Sequence, residues 1–82
     1  MSEKDSLDLE LPVKPEVQLS GIDGNAFMII GVCVQSLKRA MSREGYSREA
    51  ATDAATKLRE AMLATEDYED LLAIAIANFE VN

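Results

Sequence analysis

Nine consecutive residues without a polar side chain, AFMIIGVCV at positions 26–34, restrict the ways in which this chain can fold. A membrane-spanning helix needs about 20 apolar residues, so this run is too short and we expect no membrane span. The pattern continues as a helix to about Glu44, and polar side chains begin only at Gln35. A helix that is apolar on several sides is buried on several sides. In a chain with two other modest helices, this predicts a homodimer or a higher oligomer.

The first helix offers two apolar surfaces. Its predicted core face recurs at spacings of three and four, at Phe27, Ile30, Val34, Leu37 and Met41. Apart from that face, Met28 and Val32 make the first half of the helix apolar almost all round. Gly31 costs about 1 kcal/mol in a helix interior, and a close approach of another helix would compensate for it. The candidate oligomer interface is therefore Met28, Gly31 and Val32.

The composition limits the chemistry available to the chain. Its 82 residues form at most one small domain, and they include no Trp and no His. Without His, the commonest general base and metal ligand is missing. The single cysteine, Cys33, excludes an internal disulfide and a cysteine-rich zinc site, and its apolar helix predicts a buried core residue. We therefore expect no enzymatic activity, no cofactor and no metal site.

The remaining segments predict two further helices and a strand. EVQLS (16–20) has the alternation of a short half-buried strand. Ser47 is a plausible N-cap for a second helix, whose thin core face is Ala51, Ala54, Ala55, Leu58, Ala61 and Met62. A third helix is predicted from about Thr65, with a core face of Tyr68, Leu71, Leu72, Ala75 and Phe79.

One segment is ambiguous. LLAIAIA (71–77) alternates well enough to be a strand, but its alanine content and acidic first turn favour a helix. Asn78 could end that helix, which leaves FEV (79–81) as a second short strand able to pair with VQL (17–19). The predicted fold is mainly α: a small three-helix domain with short N- and C-terminal strands (β-α-α-α-β), preceded by an N-terminal tail.

The domain boundary is predicted at residue 15. Residues 1–14 are interpreted as a flexible acidic tail, and residues 15–82 as a single small helical domain. Leu7, Leu9, Leu11 and Val13 recur with period two, so the alternative is an arm that folds onto a partner. The opening MSEKDSLDLE is acidic where a secretory signal needs a basic start, which predicts a cytoplasmic location.

Charge is distributed unevenly along the chain. The net charge is −7, yet residues 38–59 carry six basic against three acidic side chains. Residues 60–82 carry six acidic side chains and no basic ones. This balance disfavours direct nucleic-acid binding and suits a protein partner or self-association. The candidate partner-binding residues are Glu66, Asp67, Glu69 and Asp70, although charge runs of this kind are more often a solvated face that complements the helix dipole.

The loop GIDGN (21–25) lies between the first strand and the first helix, where proteins often hold phosphate. It lacks the lysine and the glycine spacing of a phosphate-binding loop, and Asp23 would repel a phosphate. We therefore expect Gly24 to form the turn and Asp23 or Asn25 to cap the helix. The alternative is an anionic ligand held between subunits, and its candidate residues are Gly24, Asn25, Lys38, Arg39 and Arg43.

Residues 16–82 resemble a group of small proteins encoded by tailed phages and prophages. The residues that carry the resemblance are Gly21, Asp23, Gly24, Asn25, Ala26, Phe27 and Gly31, then Asp67, Tyr68, Leu71 and Leu72, and finally Phe79, Glu80 and Val81. The continuation GVCVQSL (31–37) is more apolar than the arginine-rich one expected for the group. What the resemblance implies is an origin and not an activity.

These observations lead to one functional hypothesis and two alternatives. The first is a non-enzymatic phage-type accessory protein that binds, and thereby inhibits, a host protein such as a component of a defence system; a phage protein is the other possible partner. The second is a homo-oligomeric sponge for an anionic nucleotide or signal molecule. The third is a minor structural component of the virion.

Overall fold

A computed structural model describes residues 8–19 and 25–82. The chain forms strand β1 (Glu16–Val17), helices α1 (Ala26–Arg43), α2 (Arg48–Leu63) and α3 (Tyr68–Asn78), and strand β2 (Glu80–Val81). This order confirms the predicted β-α-α-α-β fold, including a helix over residues 71–77. No helix in the described part of the chain is long and apolar enough to span a membrane.

The ends of α1 are fixed by local chemistry. The Asn25 side chain accepts a hydrogen bond from the Phe27 N–H at 2.9 Å, which confirms it as a cap; Asp23 and Gly24 lie outside the described residues. At the other end, Gly45 has a φ of +92°. The Gly45 and Tyr46 N–H groups donate to the carbonyls of Ser42 and Met41 at 3.1 and 3.0 Å. This pair of bonds is a Schellman motif, which stops the helix.

The other two helices begin at capping side chains. The Ser47 hydroxyl accepts from the Ala50 N–H at 3.1 Å, as predicted. The Asp67 carboxylate accepts from the Asp70 N–H at 2.9 Å, so α3 begins at Tyr68 and not near Thr65. Thr65 instead donates its hydroxyl hydrogen bond to the Met62 carbonyl at 2.7 Å and belongs to the turn after α2.

The core lies where the three helices meet the strand pair. Its buried apolar side chains are Val17, Ile29, Ile30, Cys33, Val34, Leu37, Met41, Ala51, Ala55, Leu58, Met62, Leu71, Ile74, Ala75 and Phe79. Most of the predicted faces are confirmed, but the core placements of Phe27 and Tyr68 are wrong. Both stand in the first turn of a helix beside an open groove, where the described residues leave them exposed. Ile74 and Asn78 are buried instead of Tyr68.

The two strands pair in parallel, with Glu16 opposite Glu80 and Val17 opposite Val81. Backbone hydrogen bonds extend the pairing to Pro15 and Leu19. The pairing of the VQL and FEV segments is therefore confirmed, with shorter strands than predicted.

Part of the predicted tail lies against this domain. Leu9, Leu11 and Val13 are partly buried and pack on the core, whereas Asp8, Glu10, Pro12 and Lys14 are exposed. The Leu9 N–H donates to the Asn78 side-chain oxygen at 2.9 Å, and the Lys57 ammonium donates to the Leu9 carbonyl at 2.8 Å. The period-two pattern therefore marks the alternate side chains of this segment that face the domain. Residues 1–7 of the tail lie outside the described residues.

Candidate functional site

Three helix ends converge on a groove of about 430 Å³, which we call the acid-rimmed groove. The first turn of α1, the last turn of α2 and the first turn of α3 surround it. Its lining consists of Ala26, Phe27, Ile30, Met62, Leu63, Thr65, Glu66, Asp67, Tyr68 and Leu71. Ile30, Met62 and Leu71 are buried, so the floor of the groove is continuous with the core.

The walls of the acid-rimmed groove carry large apolar side chains in contact with solvent. Phe27 is 76% exposed, Leu63 is 53% exposed and Tyr68 is 40% exposed. Single exposed apolar residues are common on proteins, but several around one concave surface are typical of an interaction site. The local chain explains why they meet: the α2–α3 connection spans only residues 64–67, so Leu63 and Tyr68 stay close to each other.

The predicted acidic residues divide between this groove and its surroundings. Glu66 and Asp67 line the acid-rimmed groove, while Glu69 and Asp70 are exposed in the first turn of α3 beside it. Asp67 also caps α3, so it has a structural role. The partial positive charge at the start of α3 stabilises all of these carboxylates. No cluster of potential metal-ligating side chains occurs in residues 8–19 and 25–82.

The candidate oligomer-interface residues occupy the part of α1 that leads away from this groove. Met28 and Gly31 are exposed and Val32 is half-buried against the core. Because Phe27 and Gly31 are four residues apart, they share one side of the helix. A Cβ added at Gly31 would meet no atom of residues 8–19 and 25–82 within 4 Å, so neither α2 nor α3 approaches it closely. An oligomer through Met28, Gly31 and Val32 stays a prediction.

The structure separates the alternative ligand-binding residues within one chain. Asn25 stands at the start of α1, whereas Arg39 and Arg43 line a second groove near its end. Fourteen residues of helix separate Asn25 from Arg39, which corresponds to about 21 Å. Lys38 is exposed and lies outside the lining of that second groove. A site combining Asn25 with these cations therefore needs two copies of the chain; Gly24 lies outside the described residues.

Cys33 is fully buried in the core side of α1. Burial removes water from the thiol and raises its pKa from an ordinary value of 9.0 to about 11. The sulfur is therefore a neutral thiol at physiological pH, which is the state expected of a core residue and not of a nucleophile.

Sequence reasoning missed the apolar half of the acid-rimmed groove. Leu63 falls outside the alanine-rich face of α2. A large apolar residue away from the core face could have indicated a contact with something other than the core. Phe27 and Tyr68 gave no such signal, since their spacing fits the core face of each helix. Comparisons of the chain with protein-family models, curated proteins and solved structures give no match.

Proposed function

We propose that this chain is a non-enzymatic accessory protein that binds another protein through the acid-rimmed groove. The observation that carries the proposal is the exposure of Phe27, Leu63 and Tyr68 around one groove, next to the carboxylates of Glu66 and Asp67. Burying such side chains is favourable by about 25 cal/mol for each Å² of apolar area. A partner that covers the groove therefore removes an unfavourable exposure that the isolated chain retains.

The charges of the groove define the chemistry of the partner. Glu66 and Asp67 line the groove, Glu69 and Asp70 lie beside it in the first turn of α3, and none of the described residues that line it is basic. The complementary surface presents apolar side chains flanked by lysine or arginine. An amphipathic helix with a basic rim has this character, and its apolar side chains would enter the space of about 430 Å³. Opposite charges would also accelerate the encounter of the two proteins.

The resemblance of residues 16–82 to tailed-phage proteins supports a specific setting for this binding. In that setting the partner is a host or phage protein in the cytoplasm of the host cell. Occupying a basic amphipathic segment of a host defence component would block the contacts that the component makes with its own partners. Inhibition would then follow from binding alone, without chemistry by this chain.

The test combines capture with matched variants. The tagged protein is incubated with bacterial lysate, and the complex is analysed by native mass spectrometry. We expect a stoichiometric protein to be captured by the wild type and by Ile76→Ala, whose side chain is 62% exposed but outside the groove. Phe27→Ala and Leu63→Ala should lose that protein, because each removes an apolar wall. Retention of the same protein by all of these variants would contradict the proposal.

A charge variant tests whether the partner is attracted by the carboxylates at the groove or only by the negative charge of the whole protein. Glu66→Lys reverses a charge at the groove, whereas Glu60→Lys makes the same change on α2 outside the groove lining. We expect Glu66→Lys to weaken capture far more than Glu60→Lys, most clearly at low salt. Equal effects of the two substitutions would leave only a non-specific attraction to an acidic protein.

A further inference from the structure

A second groove lies on the other half of α1 and differs in charge from the first. It has a volume of about 640 Å³ and lies between the last turns of α1 and residues 12–16. We call it the basic groove, because Lys14, Arg39 and Arg43 line it. The chain as a whole has a net charge of −7, whereas the lining of this groove has more basic than acidic side chains.

The helix geometry explains how the basic groove is built. Ser36, Arg39, Ala40 and Arg43 follow one another at spacings of three, one and three, so they share one side of α1. The Cα atoms of Arg39 and Arg43 are about one helical turn apart, about 6 Å along the axis. Lys14 comes from the facing wall, where β1 pairing fixes the chain just after it. Positive charge therefore enters the groove from both walls.

The cations of the groove are available for a ligand. Within residues 8–19 and 25–82, neither Arg39 nor Arg43 donates a hydrogen bond or forms an ion pair with a protein group. Both are exposed, as is Lys14. An arginine side chain offers five N–H donors in a plane, an arrangement that matches phosphate oxygens in a bidentate way.

The two carboxylates of the groove restrict the size of the anion. Glu16 and Glu44 also line it, so three cations are accompanied by two anions. The lined stretch runs from Ser36 in α1 to Glu44, the residue that follows the helix, about 12 Å. A compact anion can sit between the cations, whereas a long polyanion would pass the two carboxylates. The volume falls within the range of about 300–1,000 Å³ that is usual for small-molecule sites.

We propose that the basic groove binds a small molecule that carries phosphate groups. Arg39 and Arg43 hold the phosphate oxygens, Lys14 contributes charge from the opposite wall, and the Ser36 hydroxyl is placed to donate a further hydrogen bond. This site needs only one chain and does not use the start of α1. It is also independent of protein binding at the acid-rimmed groove, so either proposal can fail without the other.

The test titrates the ¹⁵N-labelled full chain with inorganic pyrophosphate and follows backbone amide shifts by NMR. We expect saturable shifts confined to residues 12–16 and to the last half of α1. The double variant Arg39→Gln/Arg43→Gln should weaken binding at least about tenfold, since it removes two charge-assisted contacts. The control Arg48→Gln/Arg59→Gln removes the same charge from α2, outside the groove, and should bind like the wild type.

Three results would overturn this assignment. One is the absence of saturable shifts at millimolar pyrophosphate. Another is an equal loss of affinity in both double variants, which would mean that only net charge matters. The third is tighter binding of a single-stranded DNA oligonucleotide through the same amides, because that would indicate a polyanion surface and not a small-molecule site. Melting temperatures of both variants show whether the fold is intact.

Discussion

Asn78 connects parts of the chain that are far apart in sequence. Its amide nitrogen donates to the Ile74 carbonyl at 2.8 Å, and its oxygen accepts from the Leu9 N–H at 2.9 Å. The side chain is buried, so both polar groups need these partners to offset the loss of water. One residue thus ends α3 and also holds the segment that precedes β1.

Cys33 gives the core a pH-dependent stability. Well below pH 9 the thiol is neutral in both the folded and the unfolded chain. Between pH 9 and 11 the unfolded chain loses the thiol proton while the folded chain keeps it, because burial has raised the pKa. The unfolded state then binds fewer protons, so the free energy of unfolding falls as the pH rises, by up to about 3 kcal/mol.

Urea unfolding of the wild type and of Cys33→Ala across this pH range measures the effect. The two proteins share every other side chain, so the difference between the two curves isolates the cysteine. We expect the free energy of unfolding of the wild type to fall relative to that of Cys33→Ala between pH 9 and 11. A constant difference would show that the thiol ionises as easily in the folded chain as in the unfolded one.

At the scale of the helices, two glycines have opposite roles. Gly45 ends α1 with a φ of +92°, which L-residues rarely adopt. Gly31 lies in the interior of α1, and no described residue comes within 4 Å of the place that its Cβ would take. The same substitution should therefore change stability in opposite directions at the two positions.

We expect Gly31→Ala to raise the free energy of unfolding by about 0.5–1 kcal/mol and Gly45→Ala to lower it by about 1 kcal/mol. Chemical denaturation measures both, and sedimentation velocity records the oligomeric state. If Gly31 lies at a close contact between copies, as its sequence suggested, Gly31→Ala would dissociate the oligomer and lose the gain in stability. The outcome thus distinguishes a solvent-facing glycine from an interface glycine.

The helices could be predicted where the residues that start, stop or pattern them lie close together in the sequence. Ser47 and Asn25 as caps, Gly45 as a stop and the 3–4 spacing of α1 all act within a few residues. The burial of Asn78 could not be predicted, because its partner Leu9 is 69 residues away in the sequence. Phe27 and Tyr68 fit the apolar spacing of their helices, and only the arrangement of the neighbouring helix ends leaves them exposed.

At the scale of the whole molecule, the segment before β1 is part of the folded unit. Leu9, Leu11 and Val13 pack on the core through alternate positions. We expect the double variant Leu9→Ser/Leu11→Ser to lower the free energy of unfolding by about 2 kcal/mol, since it removes buried apolar area. Thermal and urea unfolding provide the measurement.

The exposed positions between them supply the control. Glu10→Ser/Lys14→Ser changes two exposed side chains of the same segment and leaves the net charge unaltered. We expect stability close to that of the wild type. If the leucine variant were as stable as this control, the segment would not be packed on the domain in solution, and the tail interpretation of residues 1–14 would be the better description.

In the two candidate sites, residues that are close in sequence could be predicted, whereas residues brought together by the fold could not. The acidic residues of the acid-rimmed groove were visible as a cluster in the sequence, because they follow one another from Glu66 to Asp70. Their apolar neighbours come from three helices and needed the fold. In the basic groove, Arg39 and Arg43 were candidates from the sequence, whereas Lys14 joins them only through the packing of residues 12–16.

The parallel pairing of β1 and β2 has a mechanical consequence. A force applied between Pro15 and Asn82 draws the two strands in opposite directions along their length. The hydrogen bonds Pro15–Glu80, Val17–Asn82 and Leu19–Asn82 then carry the load together, whereas a pair opened from one end would release them one after another. The two strands of two residues each are therefore loaded in shear, and together they resist a force that pulls Pro15 and Asn82 apart.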